Sequence, residues 1–213
     1  LPNGEVLVVG GNTSGQKFND TGTVYTVEYW NPGTGQWREG AAMSVPRNYH
    51  SIALLLPDAT VMSAGGGLCN CAADHPNAQV YSPRYLFNPD GSPATRPTII
   101  SAPAAIRTGD VFDVSVDADI TSFSMVKMSS TTHAVNTDLR YLTVAFTGSG
   151  GDYQLTAQAN PNVLTPGYWM LFASDSDGTP SVAKIMQVRS TNAADPTPTG
   201  ALQFSYGSFA DLS

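Results

Sequence analysis

A motif that occurs twice in the first third of the chain limits the folds that this part can adopt. Residues 1–6 have the sequence Leu-Pro-Asn-Gly-Glu-Val, and paired glycines follow at 10 and 11. Residues 56–61 have the sequence Leu-Pro-Asp-Ala-Thr-Val, and paired glycines follow at 65 and 66. Each copy places a turn before an apolar segment and ends that segment at glycines. A repeat of about 55 residues is typical of proteins built from similar units of short β-strands.

The segment between the two copies carries signals of the same kind. Residues 27–32, Val-Glu-Tyr-Trp-Asn-Pro, have the composition of a strand that enters a turn, and Trp37 follows that turn. Paired glycines and a turn before a tryptophan are typical of kelch repeats, which form four-stranded blades of a β-propeller. We therefore predict kelch-type blades over residues 1–82. About two blades cannot close a propeller, so this one is expected to be incomplete, with open strand edges that need a covering partner.

The second half of the chain has a different pattern. Residues 83–97 contain four prolines and are predicted to connect two domains. Beyond them Phe112, Val114 and Val116 alternate with polar residues, as in a strand with one buried face. Further strands are predicted at 123–128, 141–146, 153–159, 168–173 and 182–188. Six or seven short strands predict a β-sandwich over residues 98–190, followed by a tail over 191–213. No segment predicts a helix, so the fold class is all-β.

The charge balance excludes one class of partner. The chain has 10 Lys and Arg against 17 Asp and Glu, a formal net charge of −7 and a pI near 4.6. A nucleic-acid backbone requires a basic surface, so we expect no nucleic-acid partner. No apolar run approaches the roughly 20 residues of a membrane-spanning helix, so we expect no membrane span.

Two further features concern processing and compartment. The sequence begins at Leu1 without a methionine or an apolar signal segment, as in a mature product or a fragment of a longer protein. The two cysteines, Cys69 and Cys71, lie in a glycine-rich stretch where they are candidates for pairing with each other. Few lysines and many Thr, Ser and Asn residues suit a secreted, extracellular protein.

The three histidines are the first candidates for chemistry. His50 directly follows Tyr49, and in a regular strand their side chains would point to opposite faces, so they share a site only if the backbone bends. Taken alone, this pair favours a structural role. His133 lies in a polar loop, residues 129–138, for which a functional site and a simple solvated hairpin both stay open. His75 is predicted to be a turn histidine whose ring caps local backbone.

Several common active-site motifs are absent from the sequence. There is no Gly-x-Ser-x-Gly elbow, no His-Glu-x-x-His and no phosphate-binding Walker loop. Two cysteines one residue apart do not provide a four-ligand zinc site. Paired carboxylates of the glycosidase type stay open, since no pair of aspartates is singled out.

Three strings taken together resemble a known family. They are Tyr-His-Ser at residues 49–51, Thr-His-Ala-Val-Asn-Thr-Asp at 132–138 and Pro-Gly-Tyr-Trp-Met-Leu-Phe at 166–172. In this order and spacing the chain resembles the copper radical oxidases, the family of galactose oxidase and, more distantly, glyoxal oxidase. The resemblance extends over most of residues 1–190.

The resemblance implies a fold and a metal site. The fold is a seven-bladed kelch propeller followed by an immunoglobulin-like β-sandwich, one hairpin of which reaches along the propeller axis. The implied copper site has Tyr49 as its axial ligand and His50 and His133 as further ligands, while His75 is not a ligand. Imidazole nitrogen and phenolate oxygen are suitable donors for Cu(II).

The resemblance also implies a reaction. A primary alcohol, such as a galactose-type sugar, would be oxidised to an aldehyde while O2 is reduced to hydrogen peroxide. Tyr49 would take the proton of the alcohol. The second redox group, a tyrosine cross-linked to a cysteine, is implied upstream of Leu1, as are the stacking aromatic residue and the substrate-binding arginine. The rest of the propeller, in the same protein or a companion chain, is therefore an expected partner.

Two details of the resemblance leave alternatives open. Cys69 and Cys71 match a disulfide pair of the family, but the relatives have one more residue between the cysteines. A non-catalytic relative that binds carbohydrate or cell wall, or is purely structural, stays open beside the oxidase. So does a copper-binding piece without a redox partner. Copper binding would distinguish the copper-binding piece from the non-catalytic relative. Peroxide formation would distinguish the oxidase from both.

Overall fold

The computed structural model describes residues 1–190, and this part of the chain is almost entirely β-structure. Its single helical element is a 3₁₀ turn at Arg84–Leu86. The all-β prediction is confirmed. Within the described residues no helix has the length and apolarity that a membrane span requires. The tail predicted over 191–213 lies outside the described residues, and the domain limits at 82, 97 and 190 stay predictions.

The kelch-type region consists of two antiparallel three-stranded sheets. The first contains β1 (Val6–Val8), β2 (Thr26–Asn31) and β3 (Gln36–Ala42), and the second contains β4 (Ile52–Leu55), β5 (Val61–Ala64) and β6 (Ala78–Tyr81). Each copy of the repeated motif leads into a strand, β1 in one sheet and β5 in the other. Within the described residues each sheet has three strands, where the sequence analysis predicted four in each blade. After β6 the chain enters Pro83 and the 3₁₀ turn, which cannot extend a sheet.

The two small sheets pack against each other through aromatic side chains. The Tyr29 hydroxyl donates to the Tyr81 hydroxyl at 2.7 Å. Burial and this hydrogen bond raise the pKa of Tyr29. Gly40 lies against both residues, and a Cβ there would approach the side chains of Val27, Tyr29 and Tyr81 to 2.6–2.8 Å. The contact between the sheets therefore depends on a position without a side chain.

The second half of the chain forms one continuous eight-stranded sheet and a separate hairpin. In chain order the strands are β7 (Ile99–Ser101), β8 (Ala105–Arg107), β9 (Val111–Val116), β10 (Ser122–Lys127), β11 (Thr131–Thr132), β12 (Val135–Asn136), β13 (Tyr141–Ser149), β14 (Asp152–Thr156), β15 (Gly167–Ser174) and β16 (Lys184–Arg189). The sheet order is β7-β9-β14-β13-β10-β15-β16-β8, and β11 pairs only with β12. The hairpin is the element that the sequence analysis expected to leave the sandwich.

The long strand β13 turns this sheet into a sandwich. Residues 141–144 pair with β10, whereas residues 145–149 pair with β14. Strands that pass from one layer to the other close the corner of a sandwich. Phe123 of one layer packs edge-on against Tyr153 of the other, with ring centroids 5.3 Å apart. The Trp169 side chain is fully buried in the same core.

The layer that contains β10 and β15 is buried on both faces. Val126, Met170 and Phe172 point away from the sandwich core and pack on Ala59 in the turn between β4 and β5. Arg96 links the same turn to the sandwich, because its guanidinium donates to the carbonyls of Asp58, Pro180 and Ser181. Burial on both faces explains the nearly continuous apolar sequence of β15. The kelch-type sheets and the sandwich are thus packed together beside the site described next.

Candidate metal centre

The adjacent residues Tyr49 and His50 meet the sequence-distant His133 between the kelch-type sheets and the hairpin. The rings of Tyr49 and His50 stack with centroids 4.0 Å apart and an interplanar angle of 29°. The ring of His133 lies edge-on to His50 at 5.0 Å and 6.3 Å from Tyr49. The structure therefore brings together all three residues that the sequence analysis named as metal ligands.

A local bend places Tyr49 and His50 on the same side of the chain. His50 has φ +69°, in the left-handed region that residues other than glycine seldom occupy. The Ser51 hydroxyl donates to the carbonyl of Asn48 at 2.6 Å and closes the turn. This is the bend that the sequence analysis required before the two side chains reach one site. Positive φ values at residues other than glycine are concentrated at functional sites.

The carbonyl of Gly67 fixes the orientation of the His50 ring. Nδ1 of His50 lies 2.6 Å from this oxygen, so Nδ1 carries the proton and Nε2 keeps its lone pair for a metal. The Gly67 amide in turn donates to the carbonyl of Tyr49 at 2.8 Å. Gly67 has φ +84°, and a Cβ there would overlap the Asp74 side chain and the carbonyl of Ala73. This position requires glycine, because a side chain would displace the backbone whose carbonyl orients the His50 ring.

The paired glycines of both repeat copies lie against the segment that carries Tyr49 and His50. The Gly11 amide donates to the carbonyl of Arg47 at 2.9 Å. A Cβ on Gly10 would overlap that same carbonyl. In the second copy Gly66 faces the backbone of Pro46 and the ring of His75. The repeated motif thus supports the candidate site from two sides.

Arg47, two residues before Tyr49 in this segment, is a buried cation. Only 1% of its surface is exposed. Its guanidinium donates to the carbonyl of Gly65 at 2.8 Å and to Oδ1 of Asn77 at 2.9 Å. Burial lowers the pKa of the guanidinium, and an arginine keeps its charge at neutral pH regardless. Its contacts hold the glycine loop, residues 65–67, against the backbone of residues 47–50.

His133 occupies the tip of the β11–β12 hairpin. His133 and Ala134 have φ +51° and +63°, as both central residues of a type I′ turn must. The hydroxyl of Thr132 lies 2.6 Å from Nδ1 of His133, which leaves Nε2 available. The His133 side chain is exposed, whereas that of Arg47 is buried. The preferred sequence for this turn is Asn-Gly, and this chain has His-Ala instead. Turn formation alone therefore does not explain a histidine at position 133.

A short loop beside the histidines contains the disulfide. Cys69 and Cys71 are joined to each other. The Asp74 carboxylate accepts the amides of Leu68, Cys69 and Cys71, and these hydrogen bonds lower the pKa of Asp74. The two sulfurs and this carboxylate are near enough to one another to suggest a metal site. Both sulfurs are used in the disulfide, so this cluster is a structural loop closure.

His75 has a different role from the one predicted. Its Nε2 lies 2.9 Å from Oδ2 of Asp20, which is remote in sequence, rather than capping its own turn. Asp20 also accepts from the Asn48 side chain at 3.1 Å. Phe18 from the same loop packs edge-on against Tyr49, with centroids 5.5 Å apart. The sequence analysis missed Phe18, Asp20 and Arg47, because each acts across the fold and carries no local motif.

The donor set fits a transition-metal ion. Each of the two imidazoles has Nδ1 fixed by a hydrogen bond, which leaves Nε2 available to a metal. The centroid of the Tyr49 ring lies 4.0 Å from that of His50 and 6.3 Å from that of His133. Hydrogen bonds of this kind fix the tautomer and orientation of metal-binding histidines. Imidazole and phenolate donors suit Cu(II) better than the hard cations Mg²⁺ and Ca²⁺.

Comparisons with known proteins agree with this architecture. The family described as galactose oxidase-like, early set domain matches residues 96–188, and the kelch motif matches residues 2–44. A solved structure of a fungal alcohol oxidase of the AA5 family, in complex with copper, superposes with a TM-score of 0.83 at 41% identity. This chain belongs to the galactose oxidase-like family. The prediction of kelch-type blades followed by an immunoglobulin-like β-sandwich is thereby confirmed.

Two relatives within the galactose oxidase-like family show how much of the protein this chain represents. It is 39% identical to a galactose oxidase of Gibberella zeae over 88% of this chain and 28% of that protein. It is 32% identical to the aldehyde oxidase GLOX1 of Arabidopsis thaliana over 88% of this chain and 34% of that protein. The solved structure is matched over 88% of this chain and 40% of the other. The chain thus spans about a third of the length of these relatives.

Proposed function

We propose that this chain supplies Tyr49, His50 and His133 as ligands of a copper site in an oxidase that acts on primary alcohols or aldehydes. The observation that supports the proposal is the meeting of the three rings within 4.0–6.3 Å. The relatives support the reaction class, since two are named galactose oxidase and aldehyde oxidase and a third is an alcohol oxidase in complex with copper. The substrate we favour is a galactose-type or similar alcohol.

Each of the three residues has a distinct task in this proposal. Copper, when bound, supplies one-electron redox chemistry and a site that polarises an alcohol oxygen. His50 and His133 bind through Nε2, with orientations set by Gly67 and Thr132. Tyr49, as the phenolate, would accept the hydroxyl proton of the alcohol and become a phenol. The overall reaction converts RCH2OH and O2 to RCHO and H2O2.

The second redox group of the proposed oxidase lies outside this chain. A tyrosine–cysteine cross-link needs a free cysteine, and both cysteines of the chain are joined to each other. The substrate-binding residues and the other propeller blades are proposed to come from the remainder of the protein or a companion chain. A disulfide persists in oxidising compartments, which supports secretion as the proposed localisation.

Copper binding by histidine variants of the complete protein tests the proposal. His50→Ala and His133→Ala should each weaken Cu(II) binding more than about 100-fold, because loss of even an outer partner costs 10- to 100-fold. Copper affinity is measured by competition titration, and the Cu(II) environment by electron paramagnetic resonance. His75→Gln is the matched control, since His75 pairs with Asp20, and it should retain full copper binding.

Peroxide formation from galactose and simple primary alcohols distinguishes the alternatives. The oxidase should form H2O2 at a rate that falls by orders of magnitude in both histidine variants. Copper binding without peroxide would favour a copper-binding module. Full copper affinity in either alanine variant would reject the site assignment, whereas a natural protein that binds no copper would favour the non-catalytic carbohydrate-binding function.

A further inference from the structure

The hairpin that carries His133 is held mainly at its base. Its strands pair only with each other, and isolated two-stranded hairpins are marginally stable in water. A cavity of about 350 Å³ separates its flank, at Ala134 to Asn136, from strands β1 and β4. On this flank the hairpin is thus separated from the kelch-type sheets, and its tip reaches the site through the ring contact between His133 and His50.

The distance from base to tip makes the position of His133 sensitive to the base. Asp138 lies five positions after His133, which in extended chain is about 16 Å at a rise of about 3.3 Å per residue. A rotation of about 5° at the base therefore moves the tip by about 1.4 Å. An error of about 1 Å is enough to impair a catalytic arrangement by orders of magnitude.

Backbone hydrogen bonds from Lys127 to Arg140 and from Met128 to Tyr168 end the sheet at this base, and one charged cluster adds a side-chain link beyond them. Lys127 is the last residue of β10, and its ammonium group lies 2.9 Å from both carboxylate oxygens of Asp138. The ammonium also donates to the hydroxyl of Thr165 at 2.9 Å. The Lys127 side chain is 11% exposed, whereas that of Asp138 is 38% exposed. The pair therefore joins the sandwich to the returning arm of the hairpin.

The hydrogen bonds within the hairpin, between its two arms, do not have this effect. Asn136 donates to the hydroxyl of Ser129, and the Thr137 amide donates to the carbonyl of Ser130. Both connect one arm of the hairpin to the other, so they preserve its shape without setting its direction. The link from Lys127 through Asp138 and Thr165 connects it to a buried position of the sandwich. A buried lysine is rarely retained unless its charge is paired.

We propose that the Lys127–Asp138 ion pair, completed by Thr165, is a positioning device that aims His133 at Tyr49 and His50. The inference rests on the proposed function for its metal, but its structural content holds without metal. Lys127 acts through His133, because it is anchored in the sandwich and its side chain contacts the hairpin at Asp138. Its removal should release the direction of the hairpin and leave the Tyr49–His50 stack intact.

The first experiment uses the copper-free protein with Lys127→Met, which preserves side-chain length. Hydrogen exchange of residues 129–137 should become at least about 10-fold faster, since the base no longer restrains the hairpin. The ring contact between His50 and His133, measured by NMR, should be lost while that between Tyr49 and His50 remains. Lys184→Met removes an exposed lysine of β16 and is the matched control. Unchanged hairpin exchange with an intact His50–His133 contact would overturn the proposal.

The second experiment separates positioning from a general loss of fold. Lys127→Met should weaken Cu(II) binding about 10- to 100-fold, as for other supporting partners of metal ligands. When Lys127→Met is added to His133→Ala, the Cu(II) affinity should fall no further, since Lys127 acts through the imidazole that this variant already lacks. Lys127→Arg should restore most of the affinity. An additive loss in the double variant would overturn the proposal, whereas wild-type protein without copper binding would reject the proposed function alone.

Discussion

The two histidines of the candidate site are supported in opposite ways. His50 is embedded: the Gly67 carbonyl orients its ring, and a buried arginine and two glycine pairs pack behind its backbone. His133 lies at the exposed tip of a hairpin, whose direction depends on the charged cluster at its base. Removing a support of His50 should therefore affect the fold as well as the site. Removing a support of His133 should affect mainly the site.

The strongest test of this difference removes the buried cation. Arg47→Met deletes hydrogen bonds to Gly65 and Asn77 and leaves their acceptors buried. We expect a loss of about 3 kcal/mol in the free energy of unfolding, since bonds to charged groups contribute about 1.5–3 kcal/mol each. Urea denaturation followed by tryptophan fluorescence measures it. A loss below about 1 kcal/mol, the average effect of a point mutation, would remove Arg47 from the supports of the site.

A smaller loss is expected at the first glycine pair. Gly10→Ala places a Cβ onto the Arg47 carbonyl and also strains a backbone with φ +76°. The left-handed backbone alone costs about 1–2 kcal/mol, so with the overlap we expect a loss of about 2–3 kcal/mol in the free energy of unfolding. Gly15→Ala is the matched control, because it has φ +70° with no atom near its Cβ position. Equal losses in thermal unfolding of the two variants would show that contact with Arg47 is unimportant.

The loop beside His50 should respond to acid. Backbone amides of Cys69, Leu68 and Cys71 lower the pKa of Asp74. A carboxylate with a lowered pKa stabilises the folded loop above its unfolded value of about 4, and this contribution disappears as the pH falls through the lower folded value. Amide exchange of residues 68–71, corrected for intrinsic rates, should accelerate below that range in the natural protein.

Replacement of Asp74 isolates this effect. In Asp74→Asn the exchange of residues 68–71 should be faster at neutral pH and should no longer change on acidification. Asp177→Asn, in a turn of the sandwich, is the matched control and should behave as the natural protein does. An acid response that persists in Asp74→Asn would assign the titration to another group.

The smallest effect should have the opposite sign. Ala134 has φ +63° at the hairpin tip, so Ala134→Gly removes backbone strain there. The gain is partly offset by the entropy of glycine, leaving a net stabilisation of about 0.5 kcal/mol. Ala145→Gly in strand β13 is the matched control and should destabilise. Destabilisation by Ala134→Gly in thermal unfolding would show that the tip is held by packing rather than by its turn.

Much of the architecture could be predicted from the sequence because it depends on local patterns. The alternation of Phe112, Val114 and Val116 correctly predicted a strand with one buried face. The predicted strand at 153–159 ends at Thr156, and the one at 182–188 begins at Lys184, since strand ends depend on available pairing partners. The doubly buried layer could not be inferred. Its outer face is covered by Ala59, which no local pattern connects to β15.

The sequence alone determined the fold class and the repeated glycine motif, because turns and alternation are properties of neighbouring residues. The three candidate ligands came from the resemblance of three strings to a known family. Only the tertiary structure decided what the glycines are for, which partner His75 has, and how Arg47 and Lys127 support the two histidines. Those contacts join residues 11 to 55 positions apart. Their formation depends on how the sheets and the hairpin pack, and that packing is not encoded in any single segment.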